Sequence, residues 1–325
     1  MDLGEYVAYL MSSPSGSSCV KASKTLCISH DEVNRFLLSG EFDGKTLFKS
    51  VYKSIDLIGG TLSVDDSVLD KPYTKRGTTE LVGKFYSGKH HKVVQGINII
   101  VLVYTSKSGY CVPVNFRVYR KSDGKTKNEY FQAMLKELWN WGLRPKWVTA
   151  DSWYSGTDNL KFLRNLEINF MVGIEINRKI SNNPTDYQQV KDVDIPENGL
   201  YTHLNGYDFV QVFRTVSKDG DVRHYALYQQ QEDIADIKLF THEEFDEVHI
   251  KHWNVENFFR AVKQCCQAEK FFVRDTNAIK THLFSVLTAF QKLASLTLNR
   301  FLNSVYDLKN LLFREVQRQF IYDFA

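Results

Sequence analysis

The sequence predicts a mixed α/β fold, a sheet flanked by helices with a β-rich insertion late in the chain. Three observations carry this. Between residues 59 and 180 the apolar pattern changes period in the order βββαβαβ, which a mixed sheet with helices on both faces accommodates. Residues 181–240 give up the helical period for Asn, Pro and Gly punctuation. From residue 241 onward three amphipathic stretches close the chain as helices.

Taken in order, residues 1–58 read as a small helical region. "SSPSGSS" (12–18) is a loop, and "SHDEVNRFLLSG" (29–40) is a helix capped by Ser29, with Glu32 three residues on and Gly40 as its stop. "GEFDGKT" (40–46) is one residue short of a phosphate loop and follows no strand, which excludes it. "GTLSVDD" (60–66), "VVQGINIIVLVYT" (93–105) and "GYCVPVNFRVY" (109–119) are strands, the last two paired across "SKSG". A helix follows over 126–142, ended by Gly142, then a strand over 146–151, a helix over 155–166 and a strand over 168–174. These make the first part of the core, 59–180. Within the insertion, "SKDG" (217–220) marks a hairpin. A capping box at Thr241 and Glu244 opens the final segment, 241–325, with a long helix containing "HIKHWNVENFFRAVKQ" (249–264). Helices over 277–302 and 304–321 complete it.

Composition narrows the function classes. The chain has 325 residues, 43% hydrophobic and 14% aromatic, ample for a packed core and unlike a disordered protein. No apolar run approaches the ~18 residues of a membrane span, and "MDLGEYVAYLM" lacks the basic start of a secretory signal. Five cysteines without a CxxC pair fit a reduced, cytoplasmic chain. Adjacent His90 and His91 would point to opposite faces of a strand and make no metal pair. The net charge is only +3, but it is unevenly spread. Residues 71–92 hold six Lys/Arg against Glu80, residues 117–127 hold five against Asp123, and 232–247 hold seven acids against Lys238. Local basic segments on a balanced protein suit a polyanion.

Acidic residues stand where a rigid sheet can aim them. Asp65 and Asp66 end the first strand, Asp151 ends the fourth, and Glu256 lies on the long helix. A few carboxylates are what hold hard divalent cations, and two such ions about 3.5–4 Å apart serve phosphodiester chemistry. On the long helix, His252, Glu256 and Lys263 share a narrow arc with His249, Trp253 and Arg260 beside it. Val255, Phe258, Phe259 and Val262 form the buried stripe of the next face.

With these residues in view, the chain resembles the DDE-type transposases of bacterial insertion sequences, in the group marked by Tyr-x2-Arg-x3-Glu-x6-Lys. Here the frame reads His249-x2-His252-x3-Glu256-x6-Lys263, with histidines in place of Tyr and Arg. "LSVDDSVLDKP" (62–72) and "VTADSWYSG" (148–156) are similar to the family's two aspartate segments, and the likeness runs from about residue 59 to 295. The resemblance implies an RNase H-like core. It implies metal-dependent cleavage at transposon ends and strand transfer into target DNA, with two ions of Mg²⁺ or Mn²⁺. Double-stranded DNA is then the partner, bound by a homodimer in the synaptic complex, with no membrane and a nucleoid association while acting. The N-terminal region becomes a candidate for binding the ends. Glu256 and Asp151 would be metal ligands together with Asp66 or Asp65. Neighbours on a strand face opposite ways, so one of the two serves; Asp66 is preferred and Asp65 competes. Lys263 and Arg260 would hold phosphates and Trp253 would stack on a displaced base. His249 and His252 take the places of Tyr and Arg, with Lys71, Lys75 and Arg76 as supporting cations. Trp153 is expected in the core. Two rivals share these features: a catalytically silent DNA-binding descendant, and a metal nuclease of similar fold that hydrolyses without joining.

Overall fold

The computed structural model describes residues 1–14, 16–75, 77–183, 186–230, 239–300, 302 and 304–324, without the side chains of 312, 315 and 324. Four helices open the chain: α1 (Leu3–Ser12), α2 (Cys19–Leu26), α3 (His30–Ser39) and α4 (Gly44–Val51). Ser29 caps α3 as expected, its Oγ accepting the Glu32 N–H at 3.1 Å. Gly40 ends α3 for another reason than a left-handed stop, since its φ is −70°. A β-carbon there would stand 2.4 Å from Thr281 Oγ1, so glycine lets the chain pass against a later helix.

The strands follow as β1 (Thr61–Asp70), β2 (Gly83–Ser87), β3 (Lys92–Thr105) and β4 (Cys111–Tyr119). Next come α5 (Lys127–Asn140), β5 (Trp147–Ala150), α6 (Thr157–Asn165) and β6 (Asn169–Ile174). β2 was not legible in the sequence; it forms against the lower half of β3, Gly83 opposite Gly96. The chain continues with β7 (Lys179–Ser181), β8 (Gln188–Gln189), β9 (Leu200–Leu204), β10 (Phe209–Val216) and β11 (Val222–Tyr228), of which β8 to β11 lie within the expected insertion and β7 straddles its start. The hairpin expected at 217–220 joins β10 to β11. Three helices close the described chain: α7 (His242–Cys265), α8 (Thr276–Asn299) and α9 (Val305–Phe324).

All described strands lie in one eleven-stranded sheet, ordered β2-β3-β1-β5-β6-β11-β10-β9-β7-β8, with β4 beside β3. The insertion therefore extends the core sheet, entering through antiparallel pairing of β11 with β6. One face is covered by α1, α3, α7 and α8, around Val101, Phe258, Phe284 and Leu293. The other is covered by α5 and α6, around Leu62, Val64, Phe131 and Leu160. On α7 the expected stripe is in place, with Val255, Phe258, Phe259 and Val262 all buried. Lys309 of α9 ties the helices together, its Nζ donating to the carbonyls of Met11, Ser13 and Cys265. No helix among the described residues is long and apolar enough to cross a membrane.

Candidate carboxylate site

The register of the sheet sets two carboxylates side by side. β1 and β5 run parallel with Val64 opposite Ala150, so Asp65 and Asp151 are the next residues on neighbouring strands. Side chains alternate along a strand, so Asp65 shares a face with Ser63, and Asp151 with Thr149. That face is identified by the Ser63 and Thr149 hydroxyls, 2.8 Å apart, and by Ser63 Oγ, 3.4 Å from the Lys251 carbonyl of α7. α7 crosses this face and brings Glu256. Asp65, Asp151 and Glu256 accordingly line one cavity of ≈ 480 Å³, with Arg223, Tyr225 and His252.

The Asp151 turn is held closely. Its Oδ1 accepts the Trp153 N–H at 3.0 Å and opens a 3₁₀ turn, Ser152–Tyr154. Gly173 of β6 passes beneath. A β-carbon there would meet Ser152 N at 3.0 Å and the Asp151 carbonyl carbon at 3.3 Å, and would push the turn outward.

Electrostatics mark the same three groups. Burial raises the Asp65 carboxyl far above its ordinary value, and the charges of Asp151, Asp66 and Glu256 raise it further. Asp151 is pushed up to about 6, by burial first and then by Asp66. Glu256 is also raised by burial, with Arg223 and Arg260 pulling the other way. A group of oxygen-only donors that repel one another suits a hard divalent cation, which would supply the missing positive charge. Among the described residues no three His, Cys, Asp or Glu side chains are grouped so that they could hold an ion as they stand, so the fit rests on donor chemistry and a shared cavity.

Asp66, the residue preferred from the sequence, faces the opposite way. Its carboxylate accepts from Lys127 Nζ at 2.7 Å, Asn98 Nδ2 at 2.6 Å and the Tyr154 hydroxyl at 3.2 Å. The pleat gives the reason: Leu62, Val64 and Asp66 project towards α5, whereas Ser63 and Asp65 project towards α7.

Several expected phosphate contacts have other partners. Lys71 Nζ donates to the carbonyls of Glu269 and Phe271 at 2.8 and 2.9 Å and lies 3.3 Å from the centroid of the Phe271 ring. Burial lowers its pKa to about 8. Lys263 donates to the Val68 carbonyl at 3.1 Å and pairs with Glu269 at 2.9 Å. His252 is buried among aromatic rings, and burial, helped by His249 and Arg223, lowers it to about 4. It is neutral near pH 7 and brings no charge to a phosphate. His249 is lowered too, burial first, with its ring stacked on Phe245 at 5.1 Å. Arg260 is exposed beside Glu256, and Lys75 is exposed in a cleft with Lys84 and Gln95. Arg76 lies outside the described residues.

The basic segments are also paired more than their composition suggests. Arg117 pairs with Glu137, Arg120 with Glu80 and Asp123, and Lys89 with Asp70 at 3.6 Å. Trp253 is half-exposed, with the Arg223 guanidinium 5.8 Å from its ring centroid. Trp153, expected in the core, is 62% exposed, with the Lys127 ammonium 5.2 Å from its ring centroid. Sequence reasoning missed Arg223 altogether. No local pattern marks it; it arrives because β11 pairs with β6, Tyr225 opposite Gly173.

Comparison with known proteins bears on this arrangement. The family model described as a transposase DDE domain matches residues 60–291. A comparison with curated proteins gives no match. Among solved structures, the chain is similar to a piggyBac transposase synaptic complex with hairpin DNA. The TM-score is 0.53 at 12% identity, over 99% of this chain and 71% of that one. At that identity the likeness concerns the fold. The NurA nuclease from Sulfolobus solfataricus (TM-score 0.25, 8% identity, 75% of this chain and 96% of that one) is too distant to carry an argument. The same holds for a Drosophila P element transposase strand transfer complex (TM-score 0.21, 10% identity, 96% of this chain and 63% of that one).

Proposed function

The chain belongs to the DDE transposase family, and from that premise we propose that Asp65, Asp151 and Glu256 are the carboxylates of its DNA phosphoryl-transfer site. The observation that carries this is their meeting on one cavity from three separate elements, two of them at matched positions of parallel strands. The reaction is nicking at the transposon ends, followed by attack of the freed 3′-hydroxyl on target DNA. Asp65, Asp151 and Glu256 would hold two ions of Mg²⁺ or Mn²⁺. Bound there, such ions activate the attacking oxygen and stabilise the leaving one.

The chain's own residues do the rest. The sheet fixes Asp65 and Asp151 relative to each other, and α7, packed across β1, sets Glu256 opposite them. Arg223 and Arg260 flank Glu256 and offer positive charge where a scissile phosphate would approach. Trp253, beside Arg223, presents an aromatic face for a displaced base of the transposon end. Double-stranded DNA is the partner, in a synaptic homodimer that holds two ends together and acts at the host nucleoid.

The test is single-turnover reaction of a DNA bearing the element's own ends. The parent should need Mg²⁺ or Mn²⁺ and give joined strand-transfer products. Glu256→Gln keeps the side chain's size, removes the ligand charge, and should abolish both steps while retaining DNA binding. Cleavage without joined products would turn the reading into that of a hydrolytic nuclease. Parental cleavage by Glu256→Gln would end it.

A further inference from the structure

We infer that a second cleft, on the far side of the carboxylates from Arg223 and Glu256, binds an unpaired stretch of DNA through base stacking on Trp153 and Tyr86. This rests on the reading of Asp65 and Asp151 as part of the reaction centre. The cleft has a volume of ≈ 670 Å³ and is lined by Tyr86, Trp153, Lys84, Lys121 and Lys127. That is within the range of about 300–1,000 Å³ typical of small-ligand sites.

Position is the first argument. Asp65 and Asp151 line this cleft and also the cavity that holds Glu256, so they form the wall between the two. A phosphodiester has nucleotides on both sides. A strand whose phosphate reaches that wall runs into one space on each side of it, and the second space needs an occupant.

Surface chemistry is the second argument. Trp153 is 62% exposed and Tyr86 is 64% exposed, although both stand on ordered backbone, the 3₁₀ turn after β5 and strand β2. The Trp153 backbone N–H bonds to the Asp151 carboxylate itself, which anchors the backbone that carries the indole two residues from the carboxylate wall. Large aromatic faces left open beside a reacting phosphate are what a base requires. Two exposed lysines supply charge for the backbone that carries it: Lys84, and Lys121, whose Nζ bonds to the Lys84 carbonyl at 3.0 Å. Lys127 is different, because Asp66 neutralises it at 2.7 Å; it braces the indole. Stacking on a side chain needs a base face not already covered by its neighbours, which selects unpaired over paired DNA.

The experiment uses the full chain and one probe in two forms. These are a single-stranded oligonucleotide carrying 2-aminopurine and the fully paired duplex of the same sequence. Trp153→Ala and Tyr86→Ala should each weaken single-strand binding about tenfold, the loss of one stacked base, and leave duplex affinity within about twofold. Trp153→Phe should restore most of the affinity, and the quenching of 2-aminopurine on binding should disappear with Trp153→Ala alone. Melting temperatures equal to the parent's would show that these exposed substitutions leave the fold intact. Parental single-strand binding by Trp153→Ala, or an equal loss for both probes, would overturn the inference. Glu256→Gln separates the two readings. If it is inactive while Trp153→Ala binds like the parent, the cleft assignment fails alone. If Glu256→Gln cleaves normally, the reaction-centre assignment fails with it, whatever the titration gives.

Discussion

Substituting the two adjacent aspartates separately should give opposite signatures, because the pleat sends them to different faces. Asp65→Asn removes one charge from a group that already contains Asp151 and Glu256. In metal-free buffer it should melt no lower than the parent, since a raised carboxyl is a charge the fold disfavours. Adding Mg²⁺ or Mn²⁺ should stabilise the parent by RT ln(1 + [M]/Kd), about 2.7 kcal/mol at a hundredfold excess over Kd, or a few degrees in Tm. Asp65→Asn should lose most of that gain, and cleavage with it. Asp66→Asn should behave in the reverse way. It takes away the counter-charge of Lys127, in an ion pair with side chains only 18% and 14% exposed. It also disturbs the acceptors of Asn98 and Tyr154. A cost of about 2–3 kcal/mol follows, visible as a lower Tm with and without metal, while the metal-induced rise persists. Differential scanning fluorimetry across a metal titration reads all of these quantities. A metal-induced rise that survives Asp65→Asn and vanishes in Asp66→Asn would refute the assignment.

Three other perturbations address separate parts of the structure. His252 has an ordinary value of 6.5 lowered to about 4 in the fold. Its neutral form is the folded one, so stability is present above pH 6.5 and is lost as pH falls towards 4. The gap is worth about 3 kcal/mol at most, and denaturant midpoints measured from pH 7 to 4 should fall less steeply for His252→Gln. Arg223→Ala should weaken DNA binding and reduce the slope of log affinity against log salt by about one, and an unchanged slope would remove Arg223 from the interface. Gly173→Ala should displace the Asp151 turn by a few tenths of an ångström and slow single-turnover cleavage several-fold while DNA binding holds. Parental cleavage would mean that the turn is not critical.

What the sequence disclosed and what it hid divide along physical lines. Local chemistry was legible in part: the capping box at Thr241 and Glu244, the buried stripe of α7 and the aspartate that follows β5 need only near neighbours, whereas Asp65 and Asp66, expected to end their strand, stand midway along β1, which runs on to Asp70. The choice between Asp65 and Asp66 was not local. It depends on which face of β1 meets α7, hence on a helix almost two hundred residues later in the chain. Arg223 depended on the pairing of β11 with the core strand β6, and β2 on an edge that β3 happened to leave open. The basic segments misled in a similar way. Lysines and arginines can be counted in sequence, but Lys71, Lys127 and Lys263 are engaged by carbonyls and carboxylates that only the fold brings near.

The insertion's place in the sheet divides it into two parts with different freedom to diverge. β11 carries Arg223, and β10 places Phe213 flat against Phe245 of α7 at 4.5 Å, so both stand in the chain of supports beneath Glu256. β9, β7 and β8 lie beyond them, each farther from the carboxylates. Related chains can therefore lengthen, trim or replace the outer strands at little catalytic cost. A change of one residue in the length of β11 would turn its side chains over and remove the arginine from the site. The insertion is in this sense part scaffold and part appendage, and the boundary between the two runs along the seam of β10 and β9.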